Sequence, residues 1–334
     1  MITVLYPEAM YADDTVERTI FGEDAVILMR DAPTLADLPD RDCANADGLM
    51  LFRQFFPADQ FARFPKLRAV VRMGVGYDRI DRAAAATHGV MVCNVPDYGT
   101  TEVADHAVSL ALALRRGLLL HHDAQRADPP AAWLPIEGPL VRRSSEQRFA
   151  ILGLGRIGTA VALRAKAFGF RVRFYDPYVP NGTERAIGID RVASLDDLLR
   201  EADVLSIHTP LTPETKGLIG ARELSLLPAA AVVVNTARGP ILDLDALYSE
   251  LKRGHIAGAG LDVVPVEPIA DPAPALIRAY RAHEDWLSGR LIITPHSAFH
   301  SPEAWEDIRI KSAETMRAAL VGNRPQNVIA PGDY

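Results

Sequence analysis

The sequence predicts an α/β protein built from two doubly wound parallel sheets. Short apolar runs alternate with helical patterns along the whole chain, and the runs are continuous, as is typical of parallel strands covered by helices on both faces. The runs form two series, and the second begins again after a long helical pattern and a proline-rich stretch. The chain has 334 residues, which is enough for two domains that each bury a core.

Each series supplies candidate strands. The first series contains ITVLYP, AVILMR, ADGLMLF, LRAVVRMG and VMVCNV. Between the series, TTEVADHAVSLALALRRGLLLHHDAQR predicts a long helix that begins at Thr100 or Thr101, and the aperiodic ADPPAAWLPIEGPLVRRSSEQ predicts an extended arm. The second series contains RFAILGLG, RVRFYD, ADVLSIH, AAVVVNTA, GAGLDVV and RLIITPH. At the end of the chain, SPEAWEDIRIKSAETMRAALVG predicts a helix capped by Ser301.

Composition and charge exclude several classes of protein. Hydrophobic residues make up 49% and charged residues 24%, the ordinary range of a globular protein, and the net charge of −7 argues against direct nucleic-acid binding. MITVLYPEAM lacks the regions of a signal peptide, and Arg115 and Arg116 interrupt the most apolar run, so a cytoplasmic location without a membrane segment is expected. Cys43 and Cys93 offer neither a disulfide framework nor a metal-binding spacing, so we expect no metal.

The stretch ILGLGRIGTA, residues 151–160, predicts a dinucleotide-binding loop. Gly153 permits the tight turn after a strand, Gly155 lets a pyrophosphate approach amides at a helix N-terminus, and Gly158 allows helix and strand to pack closely. The next strand ends in Asp176, about 20 residues after the loop, where an acidic side chain can bind a ribose diol. A carboxylate would repel a 2′-phosphate, so NAD is expected rather than NADP. A glycine turn without a ligand is the alternative.

A second glycine pair, Gly74 and Gly76 in RMGVGYDRID, also follows a strand. It lacks both a third glycine and a helix in phase, so a second nucleotide site is not expected there. Backbone amides at the carboxyl end of this strand could instead bind the carboxylate of a substrate.

Three strand ends in the second series carry candidate catalytic residues. Arg238 follows one strand and His296 another, and Asp262 and Glu267 follow the strand GAGL. The carboxyl ends of parallel strands are where an open α/β sheet places its ligands. An arginine can bind a carboxylate and polarise the adjacent ketone, and a histidine beside a glutamate can donate a proton as hydride arrives. Taken singly, each side chain has a structural alternative; together they predict a catalytic site.

These motifs resemble the D-isomer-specific 2-hydroxyacid dehydrogenase family. The resemblance is carried by ILGLGRIGTAVALRAKAFGFRVRFYDPY, VVVNTARGPILDLDAL, GAGLDVVPVEP and IITPH, and FYDPY is most similar to the C-terminal-binding-protein-like branch. It implies a flavodoxin-like substrate domain, residues 1–98 and 299–334, into which a Rossmann NAD-binding domain, residues 99–298, is inserted. It also implies a homodimer that forms through the long helix and the arm, at about residues 101–145.

The resemblance also implies roles for individual residues. It assigns catalysis to Arg238, Glu267 and His296, and binding of the substrate carboxylate to the amides of Val75 and Gly76. Beyond Gly153, Gly155 and Gly158, the implied cofactor contacts are Thr101, Arg156, Ile157, Asp176, His208, Thr209, Pro210, Ala237 and Asp262.

The predicted activity is that of an NAD-dependent dehydrogenase that interconverts a small 2-oxo acid and its D-2-hydroxy acid. Phe299 follows His296 closely, so its ring is expected to line the substrate pocket; packing at the domain hinge is the alternative. A rival function is that of an NADH-sensing interaction protein, similar to the corepressors of the same branch. Such a protein needs the nucleotide loop but not rapid chemistry.

Overall fold

The computed structural model describes residues 1–331 of the chain, so the last three residues of the predicted substrate domain lie outside the described residues. The chain divides into two compact units. Unit 1 comprises Met1–Gly99 and the segment from His300 onward, and unit 2 comprises Thr100–Phe299. Within the described residues, no helix is long and apolar enough to span a membrane.

Unit 1 contains, in its described part, a five-stranded parallel sheet with the order β2-β1-β3-β4-β5. The strands are β1 Ile2–Tyr6, β2 Ala25–Met29, β3 Gly48–Leu51, β4 Ala69–Arg72 and β5 Met91–Asn94. The helices are α1 Thr15–Phe21, α2 Asp40–Asn45, α3 Arg82–Thr87 and a C-terminal helix, Pro302–Leu320. This strand order is the flavodoxin-like one, and each strand predicted in the first series is present.

The C-terminal helix of unit 1 covers one face of this sheet. Its N-terminus is capped as predicted, because the Ser301 hydroxyl accepts a hydrogen bond from the amide of Ala304 at 3.0 Å. A Cβ on Gly48 would lie 2.6 Å from the sulfur of Met316, so the glycine lets the helix pack directly on β3. The helix also packs against α1, where Arg309 forms a 2.7 Å ion pair with the fully buried Glu17.

Unit 2, whose residues are all described, contains a seven-stranded parallel sheet with the order β12-β11-β10-β9-β6-β7-β8. The strands are β6 Arg148–Leu152, β7 Arg171–Tyr175, β8 Asp190–Arg191, β9 Val204–Ile207, β10 Ala231–Asn235, β11 Ile256–Leu261 and β12 Leu291–Ile293. The helices are α4 Thr100–Arg115, α5 Leu118–Arg126, α6 Arg156–Ala167, α7 Thr183–Ile187, α8 Leu195–Arg200, α9 Ala221–Leu226, α10 Leu244–Lys252 and α11 Ala275–Arg281. The order is that of a Rossmann sheet extended by β12, and it reverses direction between β6 and β9.

The continuous apolar runs arise because both faces of the sheet in unit 2 are buried. In β10, Val232 and Val234 pack against side chains of α4 and α6, whereas Ala231 and Val233 belong to the core on the opposite face. All four side chains are fully buried. The sequence missed only β8 in this sheet, because two residues of opposite charge at its edge form no apolar run.

The long helix predicted after Thr100 is in fact two helices. Gly117 lies between α4 and α5 in the left-handed region, with φ of +59°, and this conformation ends a helix. Beyond α5, residues 127–143 contain neither helix nor strand, as predicted for an arm. Short 3₁₀ turns occur at Gly22–Asp24, Leu35–Asp37, Ala58–Arg63, Ser144–Glu146, Gly239–Ile241 and Asp285–Leu287.

Candidate active site

The glycine loop joins β6 to α6 at the point where the strand order of unit 2 reverses. Gly153 has φ of +91°, and a Cβ there would lie 2.9 Å from the backbone nitrogen of Thr209. A Cβ on Gly158 would lie 2.1 Å from the carbonyl oxygen of Gly153, so only glycine lets α6 approach the turn this closely. A Cβ on Gly155 would meet nothing within 4 Å. The loop is therefore tightly packed at two glycines and open at the third, beside the N-terminus of α6.

Asp176 follows β7 and contacts the glycine loop directly. Its Oδ2 accepts a hydrogen bond from the amide of Leu154 at 2.8 Å, and its Oδ1 accepts one from the amide of Tyr178 at 2.9 Å. A carboxylate has about four lone-pair positions, so this half-buried side chain can accept further hydrogen bonds from a ligand. The carboxylate thus holds the glycine loop in place and lies beside the open space at Gly155.

The segment after β9 forms the other side of this region. Nε2 of His208 lies 2.7 Å from the hydroxyl of Ser206, and burial lowers the pKa of His208 to about 3, so its ring is neutral at pH 7. The hydroxyl of Thr209 is buried and has no hydrogen-bond partner among the described residues. A buried hydroxyl without a partner, in a residue that packs against Gly153 of the loop, fits the polar groups of a dinucleotide.

Arg238 lies in the loop after β10, and two sets of contacts hold that loop in place. The amide of Asn235 spans it, because Nδ2 donates to the carbonyl of Arg238 at 3.0 Å and Oδ1 accepts from the amide of Ala237 at 3.0 Å. A Cβ on Gly239 would lie 2.0 Å from the carbonyl oxygen of Val264. The loop that carries Arg238 therefore packs directly on the segment that leads to Glu267.

His296 and Glu267 form a hydrogen-bonded pair. Nδ1 of His296 lies 2.6 Å from Oε2 of Glu267, whose Oε1 accepts from the amide of Val264 at 3.1 Å. Since a carboxylate only accepts, Nδ1 carries a proton and Nε2 is the nitrogen that can exchange one with a substrate. The ring of Phe299 meets the imidazole edge-on, with centroids 6.5 Å apart. The His296 side chain is 33% exposed, so the ring is accessible.

Asp262 anchors the loop that carries His296. Its carboxylate is buried and accepts from the hydroxyl of Thr294 at 2.6 Å, the amide of Ser297 at 2.9 Å and the amide of Ala298 at 3.0 Å. The amide of His296 donates to the carbonyl of Asp262 at 2.8 Å. His296 has φ of +53°, a conformation that side chains other than glycine adopt rarely and at a cost. The hydrogen bonds of Asp262 hold the loop in this conformation.

The remaining predicted residues lie in two places. In unit 1, Val75 and Gly76 follow β4, both half-buried, and the carbonyl of Val75 accepts a 2.7 Å hydrogen bond from Asn94. In unit 2, the predicted cofactor residues at the starts of α4 and α6 and in the loops after β9 and β10 are exposed or half-buried; they are Thr101, Arg156, Ile157, Pro210 and Ala237.

Sequence reasoning missed two polar residues that build the site, Asn235 and Thr294. Both are small polar side chains at strand ends, and the only signal that could have found them is their position shortly before Arg238 and His296. Among the described residues, no group of three or more His, Cys, Asp or Glu side chains could hold a metal ion.

Comparison with known proteins identifies the family. Residues 108–298 match the model of the D-isomer specific 2-hydroxyacid dehydrogenase, NAD binding domain. The chain belongs to this family. It is 37% identical over 275 residues to a glyoxylate reductase of Korarchaeum cryptofilum, a match that covers 81% of this chain and 79% of the relative.

Two further relatives have other substrates in their names. The chain is 35% identical over 329 residues to a D-3-phosphoglycerate dehydrogenase of Mycobacterium bovis; the match covers 95% of this chain but spans only 57% of that relative. A crystal structure of D-lactate dehydrogenase from Aquifex aeolicus, complexed with NAD and lactic acid, superposes with a TM-score of 0.80 at 25% identity. It covers 99% of this chain and 100% of that chain.

The protein is therefore an NAD-dependent D-2-hydroxyacid dehydrogenase, an oxidoreductase that acts on the CH–OH group of its donors. The predictions of the family, of the two-sheet α/β fold and of NAD as cofactor are confirmed. The comparisons give no support to the rival function of an NADH-sensing interaction protein.

Proposed function

We propose that this dehydrogenase interconverts a small 2-oxo acid and its D-2-hydroxy acid, with His296, Glu267 and Arg238 as the catalytic residues. The observation that carries the proposal is the 2.6 Å contact between Nδ1 of His296 and Oε2 of Glu267. A carboxylate in this position fixes the tautomer and the orientation of the imidazole and leaves Nε2 to move the proton. His296 would donate that proton to the C2 oxygen in reduction and accept it in oxidation.

Arg238 would bind the carboxylate of the substrate and polarise its ketone. Its guanidinium carries donors in a planar fork that matches a carboxylate, and its positive charge stabilises the oxygen that becomes negative as C2 is reduced. The packing of Gly239 on Val264 supports this role, since it ties the loop of Arg238 to the segment that holds Glu267. In unit 1, the amides of Val75 and Gly76 are proposed, from the resemblance, to bind the substrate carboxylate.

Residues around the glycine loop would hold NAD. Gly155 leaves space for the pyrophosphate, the Thr209 hydroxyl has a hydrogen bond to give, and Asp176 can accept from a ribose diol. When bound, the reduced nicotinamide supplies the hydride that C2 of the substrate receives. Further contacts are proposed, from the resemblance, for Thr101, Arg156, Ile157, Gly153, Gly158, His208, Pro210, Ala237 and Asp262. Because Asp176 would repel a 2′-phosphate, the proposed preference is for NAD over NADP.

Phe299 would line the substrate pocket next to the reacting carbon. Its edge-on contact with the imidazole of His296 supports this position, because a ring beside the proton donor is also close to C2. An aromatic wall favours an apolar substituent on the substrate over a charged one.

A homodimer is proposed for the assembly. The arm and α5 expose large apolar side chains: Trp133 is 89% exposed, Leu134 70% and Leu118 57%. A second copy of the chain would cover this surface. A cytoplasmic location and the relation to the C-terminal-binding-protein-like branch stay predictions, the former supported by two buried free cysteines, Cys43 and Cys93.

The experiment that tests this function is a panel of 2-oxo acids, with oxidation of NADH followed by absorbance and the product separated on a chiral column. We expect turnover with at least one small acid and a product of D configuration. His296→Asn should lower kcat by roughly 10²- to 10⁴-fold, the contribution of a general acid, and leave NADH binding unchanged. An L product, or near-normal turnover in His296→Asn, would contradict the proposed mechanism.

A further inference from the structure

Two glycines in β11 bring α4 unusually close to the sheet of unit 2. A Cβ on Gly260 would lie 2.9 Å from Cβ of Leu110, and a Cβ on Gly258 would lie 3.0 Å from Cδ2 of Leu114. As the strand advances by two residues, its partner on the helix moves back by four. These steps have nearly equal lengths, about 6.6 Å along a strand and about 6 Å along a helix. The next pair in this register is Asp262 with His106.

The contacts at this third position are polar. Nε2 of His106 lies 3.0 Å from the hydroxyl oxygen of Thr294 and 3.9 Å from Oδ1 of Asp262. Thr294 stands beside Asp262 because the parallel pair Leu261–Ile293 is the last one in the ladder between β11 and β12. The first two positions of the register are apolar. The third connects α4, through hydrogen bonds, to Asp262, which anchors the loop of His296.

The hydrogen bonds in this group have a defined direction. The carboxylate of Asp262 can only accept, so the 2.6 Å contact uses the hydroxyl proton of Thr294. The oxygen of Thr294 must then accept from His106, which requires the proton of the imidazole to be on Nε2. The opposite tautomer would leave a buried carboxylate without its shortest hydrogen bond.

We infer that His106 is a positioning residue for the dehydrogenase reaction. Through Thr294 it fixes the carboxylate of Asp262, and this carboxylate binds the amides of Ser297 and Ala298, which directly follow the strained backbone of His296. The inference rests on the proposed role of His296 in proton transfer. It adds a residue outside the loops at the strand ends, on the helix of the proposed dimer interface.

Two matched pairs of variants test the inference on the full-length enzyme. His106→Leu removes the hydrogen bond to Thr294, and Thr294→Val removes both this bond and the one to Asp262. Each keeps an apolar body of similar size, whereas His106→Gln and Thr294→Ser keep a donor. We expect kcat to fall at least roughly three- to tenfold in the first two, the effect of losing one hydrogen bond, and to recover in the second two. The dissociation constant for NADH should change less than twofold, and Thr87→Val, at an exposed site on α3 of unit 1, should match the wild type.

The double variant His106→Leu/Thr294→Val gives a further readout. If the two side chains act in one chain of hydrogen bonds, the kcat of the double variant should equal that of the single variant with the lower kcat, since effects within a shared network are not additive. Two outcomes would overturn the inference and leave the proposed function standing. One is a loss of kcat in the double variant equal to the product of the two single losses. The other is a wild-type kcat in His106→Leu while His296→Asn is inactive. Normal turnover in His296→Asn would instead refute the proposed function, and the inference with it.

Discussion

The glycine loop offers a test in which two neighbouring glycines should respond differently to the same added methyl group. In Gly158→Ala the methyl carbon would lie 2.1 Å from the carbonyl oxygen of Gly153 and 3.4 Å from Cγ2 of Ile151, so α6 must move away from the turn. Overpacking of this kind costs typically about 1–3 kcal/mol. In Gly155→Ala the methyl group would meet nothing within 4 Å, and φ of −72° suits any residue.

We therefore expect a loss of about 1–3 kcal/mol in the free energy of unfolding for Gly158→Ala, and less than about 1 kcal/mol for Gly155→Ala, which changes only an N-cap. Urea-induced unfolding without cofactor measures both. NADH binding, measured by titration of nucleotide fluorescence, should weaken in both variants: in Gly158→Ala because the loop is displaced, and in Gly155→Ala because the methyl group fills the space proposed for the pyrophosphate. Unchanged NADH affinity in Gly155→Ala would refute the assignment of that space, and equal losses of stability would refute the packing argument.

Three further predictions concern cofactor, substrate and assembly. Asp176→Ala should reduce the preference for NADH over NADPH, because a like-charge clash with the 2′-phosphate disappears; equal kcat/KM for both cofactors in the unmodified enzyme would contradict this. Phe299→Ala should raise KM for a long apolar 2-oxo acid, because each methylene group that loses its contact costs about 0.8 kcal/mol of binding free energy. The KM for glyoxylate should stay nearly unchanged. Equal losses would make Phe299 a hinge residue. Sedimentation at micromolar concentration should give twice the chain mass of 36.4 kDa, and a single chain mass would count against the dimer.

The strands were predictable because burial on both faces leaves a direct trace in the sequence. Val232, Val233 and Val234 point alternately to two cores, so all three must be apolar, and the run is visible without any knowledge of its neighbours. Asp190 and Arg191 form a strand only because they lie beside β7 at the edge of the sheet. Their pairing depends on a tertiary contact with β7 and leaves no hydrophobic pattern in the sequence, so it could not be predicted.

The candidate site divides in the same way. Arg238, Glu267 and His296 were predicted because each follows a strand, where an open α/β sheet places its ligands. Asn235 was not predicted, since asparagine is common in turns whether or not it bridges a loop. The left-handed backbone of His296 was also not predictable. It results from hydrogen bonds to Asp262, which is distant in sequence, and not from the residue itself.

The buried carboxylate of Asp262 constrains the loop that carries His296. The resemblance implies a cofactor contact, yet in this structure three donors from residues 294–298 converge on its buried carboxylate. A buried carboxylate must be satisfied by hydrogen bonds, and each donor that it requires becomes a constraint on the loop that supplies it. The hydrogen bonds that satisfy the carboxylate of Asp262 thus keep the backbone of His296 in its strained conformation. Asp262→Asn keeps the shape but turns one acceptor into a donor that faces an amide, so it should release the loop and lower kcat even where the side chain touches no cofactor atom.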